Sequence, residues 1–124
     1  MALLFLHAYL YLIWFDFYLA RRDFAGLYAK IRAYRLRNRP TAPNGLERIR
    51  SAIDLACICY WREVLCLQRS AATACLLKKY GVAAQLVIGT QPLPFKAHAW
   101  VEVEGTVVND KPYIREMYAV LDRC

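Results

Sequence analysis

Ala97-His98-Ala99-Trp100-Val101-Glu102-Val103-Glu104-Gly105-Thr106-Val107-Val108-Asn109-Asp110 is the stretch whose reading decides the fold. Ala99, Val101 and Val103 alternate with His98, Trp100 and Glu102, the period-two pattern of a β-strand with one apolar face. Gly105 supplies the positive φ that a hairpin turn needs. A three-residue loop, Val103-Glu104-Gly105, would pair Glu102 with Thr106, Trp100 with Val108 and His98 with Asp110. Directly paired residues share a face, so an imidazole would stand beside a carboxylate. A two-residue loop, Glu104-Gly105, would instead pair His98 with Lys111 and turn Asp110 away, leaving Asn109 as the polar partner on the histidine's face. A slip of one residue thus decides which side chain meets His98.

An imidazole with a carboxylate calls for a nucleophile upstream, and Cys66 is the candidate. Residues 66–79 have helical composition and end in Lys78-Lys79 before Gly81, a C-terminal signal. A cysteine in the first turn of such a helix feels the positive end of the macrodipole, which favours thiolate. Leu46, Ile49, Ile53 and Ala56 recur at helical spacing, but Leu46 to Tyr80 contains no Gly or Pro, and one helix of that length is unusual in a small domain. A break is therefore expected somewhere within that run, though the residues barely mark it. Cys57, Cys59 and Cys75 read as small buried hydrophobes. Five cysteines form no disulfide framework, and their spacing lacks a Cys-x-x-Cys metal signature.

The run VLCLQRSAATACLLKKYGVAAQLVIGT (64–90), followed by FKAHAWVEVEGTVVND (95–110), resembles the leader peptidases of lasso-peptide biosynthesis, the protease half of that family's B protein. The resemblance covers roughly residues 46–124, and it implies that the break falls near Arg62–Leu65, with a fresh helix start at Cys66. It implies an α+β fold with a transglutaminase-like, papain-like cysteine protease core: N-terminal helices followed by a small antiparallel sheet. It further implies a Cys66–His98–Asp110 triad that removes a leader peptide from a ribosomally made precursor, so that the freed amine can enter a macrolactam. No cofactor or metal is implied, and no nucleic acid. The implied partners are the leader–core precursor, a separate leader-binding protein and the ATP-dependent cyclase. Another transglutaminase-like acyltransferase or amidase, or a non-enzymatic membrane-associated binding module, remains the alternative.

The rest of the chain is organised around these elements. The net charge is +7, and residues 21–50 hold nine of the seventeen basic residues against only Asp23 and Glu47. The whole surplus therefore lies there, a stretch suited to acidic peptide, an acidic partner, lipid headgroups or nucleic acid, or simply a solvated basic helix. Residues 1–20 contain only His7 and Asp16 outside the hydrophobic set and approach the length of a membrane span. The favoured reading is a helix buried against the domain or a partner; the alternative is a membrane span or an interfacial helix, with peripheral membrane contact through 1–20. His7 is then a polar group satisfied at that interface. Residues 24–38 look helical and basic. Arg39-Pro40-Thr41-Ala42-Pro43-Asn44-Gly45 is the clearest break, dividing an N-terminal helical arm (1–40) from the core (41–124). Ala83–Gly89 reads as a short strand. Tyr113–Arg123 reads as a final strand or turn. Gln68 and Arg69 read as either substrate-orienting or solvated. The cysteine usage points to a reducing, cytoplasmic setting, membrane-associated if residues 1–20 meet lipid.

Overall fold

The computed structural model describes residues 2–36, 45–92 and 94–124. In chain order it contains α1 (Ala2–Ala20), α2 (Phe24–Ala33), α3 (Gly45–Cys59), α4 (Cys66–Lys79), β1 (Ala84–Pro92), β2 (Phe95–Val103), β3 (Thr106–Val107), α5 (Ile114–Met117) and β4 (Ala119–Arg123). The four strands form one antiparallel sheet in the order β3-β2-β1-β4. This is the α+β arrangement expected, helices first and a small antiparallel sheet after.

Helix α4 is the centre of the molecule. Small residues (Ala71, Ala72, Ala74) let it lie close to its neighbours, and Cys75, Leu76 and Leu77 are buried with them. It packs on β1 and β2 on one side and on α1 and α3 on the other. The helical spacing read in 46–56 holds: Ile49, Ile53 and Ala56 are buried. Helix α3 ends at Cys59 and α4 begins at Cys66, so the break falls where it was expected.

Helix α1 shares that core. Leu4, Ala8, Leu12 and Phe15 recur at helical spacing and are buried against α3 and α4. Asp16 is buried too, because it accepts a hydrogen bond from the Tyr60 hydroxyl at 2.7 Å and pairs with Arg62. Leu3, Leu6, Leu10, Ile13 and Phe17 stay exposed on the far side. The helix is long and apolar enough to cross a membrane, but one face of it is part of the protein interior. His7 meets the Tyr80 hydroxyl at 3.3 Å. The proline-rich break read at 39–45 falls mainly on residues 37–44, outside the described residues.

The sheet corrects two details. β1 runs on past Gly89 to Pro92, whose Cα pairs with that of Phe95. The hairpin between β2 and β3 has a two-residue loop: Val103 pairs with Thr106 and Glu102 with Val107. Glu104 (φ 51) and Gly105 (φ 77) both take positive φ, the turn whose twist matches that of the flanking strands. The three-residue loop is therefore excluded.

Candidate active site

The loop correction should have separated His98 from Asp110, yet the two side chains meet: His98 Nε2 lies 2.6 Å from Asp110 Oδ2. The reason is that β3 stops after Val107. Val108 N–H still donates to the Val101 carbonyl at 3.0 Å, but the reciprocal bond is replaced. Val101 N–H donates instead to the side-chain Oδ1 of Asn109 at 2.7 Å. A side chain thus takes the place of a main-chain carbonyl, the strand ends, and the turn brings Asp110 back over His98. Asp110 Oδ1 accepts from Lys111 N–H at 2.7 Å, which fixes the carboxylate's second oxygen. The Asn109 side chain, the polar partner in the alternative reading, accepts from Val101 N–H and donates through Nδ2 to Ser70 Oγ at 3.0 Å.

Over Ala99–Glu102 both faces of β2 are buried. Ala99 and Val101 enter the main core beneath α4. Trp100 enters a smaller cluster with Val87 and Ile114, against which Tyr118 packs. The His98 ring stacks on Tyr118 at 5.4 Å between centroids, with Trp100 at 6.2 Å. Gly89 lies opposite His98 in the sheet and must be glycine. A Cβ there would sit 2.6 Å from a Trp100 ring carbon and 2.8 Å from Tyr118 Cβ.

Glu102, read from the alternation only as a member of the His98 face, is 1% exposed. Burial alone would raise its carboxyl pKa. Hydrogen bonds from Arg123 and from the Trp100 indole, with the charges of Arg123 and Arg115, outweigh burial and hold it below the usual value. The glutamate anchors β4 and the Trp100 ring beneath the histidine.

Cys66 is the first residue of α4 and is exposed. Its helix start is held from behind. Gln68 is buried; its amide donates to the Leu12 carbonyl at 2.8 Å, and its Oε1 accepts from Leu65 N–H at 3.4 Å. That is the glutamine half of a capping box, and it is a structural tie, neither substrate-orienting nor solvated. A glutamine at the third helical position was the sequence signal for the break that Gly and Pro did not mark. Arg69 pairs with Asp54 on α3. With Asp16 holding Tyr60 and Arg62, the corner before Cys66 is pinned to α1 and α3.

The thiol is not hydrogen-bonded to His98 among the described residues. The structure relates them through the next helical turn. Ser70 lies four residues on, on the same helix face, and its hydroxyl donates to the carbonyl of Ala99, the neighbour of His98, at 3.1 Å. Of the other cysteines, Cys75 is buried and its thiol is pushed up to about 12 by burial. Burial raises Cys57 and Cys124 as well. Cys59 is exposed, contrary to its reading as buried. Among the described residues no group of three His, Cys, Asp or Glu side chains is placed to hold a metal ion.

A cavity of about 520 Å³ flanks the turn into Cys66, lined by Asp54, Cys57, Ile58, Glu63, Val64 and Arg69. Ile58 (79% exposed) and Trp61 (68% exposed) stand apolar and uncovered nearby in sequence.

Comparison with known proteins adds to this geometry. The sequence matches the profile of the transglutaminase-like superfamily over residues 9–123. It is 43% identical over 56 residues to the Microcin J25-processing protein McjB of Escherichia coli, a match spanning 45% of this chain and 27% of that protein's length. No solved structure matches.

Proposed function

The chain belongs to the transglutaminase-like superfamily, and from that membership and the His98–Asp110 pair we propose that it is a cysteine peptidase acting on a ribosomally made lasso-peptide precursor. The single observation that carries the chemistry is the 2.6 Å contact between His98 Nε2 and Asp110 Oδ2. It commits one ring nitrogen to the carboxylate and leaves Nδ1 for proton exchange. The similarity to the Microcin J25-processing protein supports the choice of substrate.

In this reading Cys66 attacks the scissile carbonyl as thiolate, and its proton rests on His98 Nδ1. The Cys66 backbone N–H, at the start of a helix with no intrahelical acceptor, faces the developing oxyanion. The C–N bond breaks and the amine leaves with the proton from His98, so the core peptide is released with a free N-terminus. Water then gives a proton to His98 and attacks the thioester, and the leader departs as a carboxylate. Asp110 accepts the Nε2 hydrogen throughout, holding the tautomer and offsetting the imidazolium charge. The cavity beside Glu63 and Val64 and the exposed Ile58 and Trp61 would seat an extended peptide across the helix start.

The leader is held by a separate leader-binding protein, which supplies the proximity a disordered peptide lacks. The exposed face of α1 is available for such contacts. The test is mass spectrometry of precursor peptide incubated with the chain and the leader-binding protein in ¹⁸O-labelled water. Hydrolysis puts one labelled oxygen on the leader's new carboxylate. Unlabelled leader joined to an added amine would support the acyltransferase reading.

A further inference from the structure

Two polar side chains outside the Cys66–His98–Asp110 set meet where α4, β2 and the turn after β3 converge. Ser70 is 2% exposed. Its Oγ donates to the Ala99 carbonyl at 3.1 Å and accepts from Asn109 Nδ2 at 3.0 Å. Asn109 Oδ1 in turn accepts from Val101 N–H at 2.7 Å. The amide therefore spans helix and strand, with its orientation set at both ends.

We propose that Ser70 and Asn109 are positioning residues, which set the spacing of the Cys66 thiol from His98 and hold Asp110 against the imidazole. The inference rests on the peptidase reading above. Cys66 and Ser70 are one turn apart on one face of a rigid helix, roughly 6 Å along its axis. Ala99 is bonded to His98, and Asn109 to Asp110. The link thus touches each of the three segments at or within one turn of its reactive residue. Among the described residues the Ser70–Ala99 bond is the only direct hydrogen bond between α4 and β2. The remaining contact there is Ala and Val surface, which is non-directional and does not fix how far the helix slides along the strand. A hydrogen-bonded serine does fix it, and a shift of 1 Å at a reacting pair can cost about 100-fold in rate.

Asn109 has the second task. Its Oδ1 ends the β3 ladder, and without that bond Val101 N–H would recover the main-chain carbonyl of Val108. The two-residue register would then continue, with Lys111 opposite His98 and Asp110 turned away.

The test uses the full chain with its leader-binding protein, comparing Ser70→Ala, Asn109→Ala and the double variant. Expected for each single variant are a KM within about twofold, a kcat lower by roughly 10- to 100-fold and a slower reaction of Cys66 with iodoacetamide at fixed pH. The double variant should lose little more than the more severe single one, because both act through one link. Unchanged kcat and alkylation rate alongside a lower Tm would make the two residues merely structural and overturn the proposal, as would fully multiplicative losses. Asn109→Ala alone, at a half-buried position, decides the matter if Ser70→Ala does not fold. A wild-type chain that neither cleaves precursor nor alkylates Cys66 faster than exposed Cys59 would overturn the peptidase reading, and this one with it.

Discussion

Asp110→Asn is the substitution whose consequence the structure dictates in most detail. The carboxylate's two oxygens have different partners: Oδ2 meets His98 Nε2 at 2.6 Å and Oδ1 accepts from Lys111 N–H at 2.7 Å. Asparagine keeps the shape but has one oxygen. The main-chain N–H of Lys111 can only donate, so the oxygen stays there and the NH₂ group turns to His98. A donor facing Nε2 requires that nitrogen to be unprotonated, and the neutral ring then carries its proton on Nδ1. In the proposed mechanism that is the nitrogen that receives the thiol proton. The variant therefore loses both the tautomer and the negative charge opposite the imidazolium. In serine enzymes the corresponding change costs about 10⁴-fold. A thiol ionises more easily, so the expected loss here is about 100-fold or more, roughly 2.7 kcal/mol in the barrier. The assay is kcat on precursor with the leader-binding protein, with ¹⁵N NMR of the His98 ring to report the tautomer and a melting curve to report the fold. A kcat within threefold of wild type, with the ring still protonated on Nε2, would refute the reasoning.

Other outcomes follow from the packing around the site. Gly89→Ala places a methyl into Trp100 and Tyr118, neither free to withdraw without loosening the stack on His98. It should cost about 1–3 kcal/mol, a Tm drop of roughly 3–12 °C measured by circular dichroism. Glu102 is held below the usual carboxyl value of 4.5 in the folded chain, so the stability it contributes is full above that value and is lost as pH falls through the lower folded pKa. Glu102→Gln should therefore lower stability at neutral pH by about 1–3 kcal/mol, the arginine partners being partly exposed, and flatten the decline in Tm between pH 5 and pH 3. Iodoacetamide at pH 8 should modify exposed Cys66 and leave buried Cys75 intact until the chain unfolds, as read by peptide mass mapping.

Much of this arrangement was legible in residue order because it depends on local rules. Helical spacing in 46–56 and the lysine–glycine ending of 66–81 located the helices on either side of the break, and alternation in 97–103 located the central strand. The pairing of His98 with Asp110 was reached through a loop the protein does not use. Glu104 adopts positive φ without being asparagine or glycine, so composition does not favour the tighter turn over the three-residue one. What restores the pair is the end of β3, where the Asn109 side chain replaces a main-chain acceptor; that event has no periodic signature. The burial of Glu102 and Gln68 is hidden in the sequence for a related reason. A polar residue is read as exposed unless its partners are known, and Arg123, Trp100 and Leu12 lie 21, 2 and 56 residues away. Asp16 shows the same: its partners, Tyr60 and Arg62, join α1 to the corner before Cys66 from more than forty residues along the chain.

The most direct test of the account is cleavage of precursor peptide by wild type and by Cys66→Ala, each with the leader-binding protein, followed by intact mass measurement. The account predicts a single cut by wild type, yielding leader with a free carboxylate and core with a free amine. It predicts no cut by Cys66→Ala, whose melting curve should match wild type because the thiol is exposed and makes no hydrogen bond among the described residues. Cleavage that survives in a folded Cys66→Ala chain at a rate comparable to wild type would contradict it.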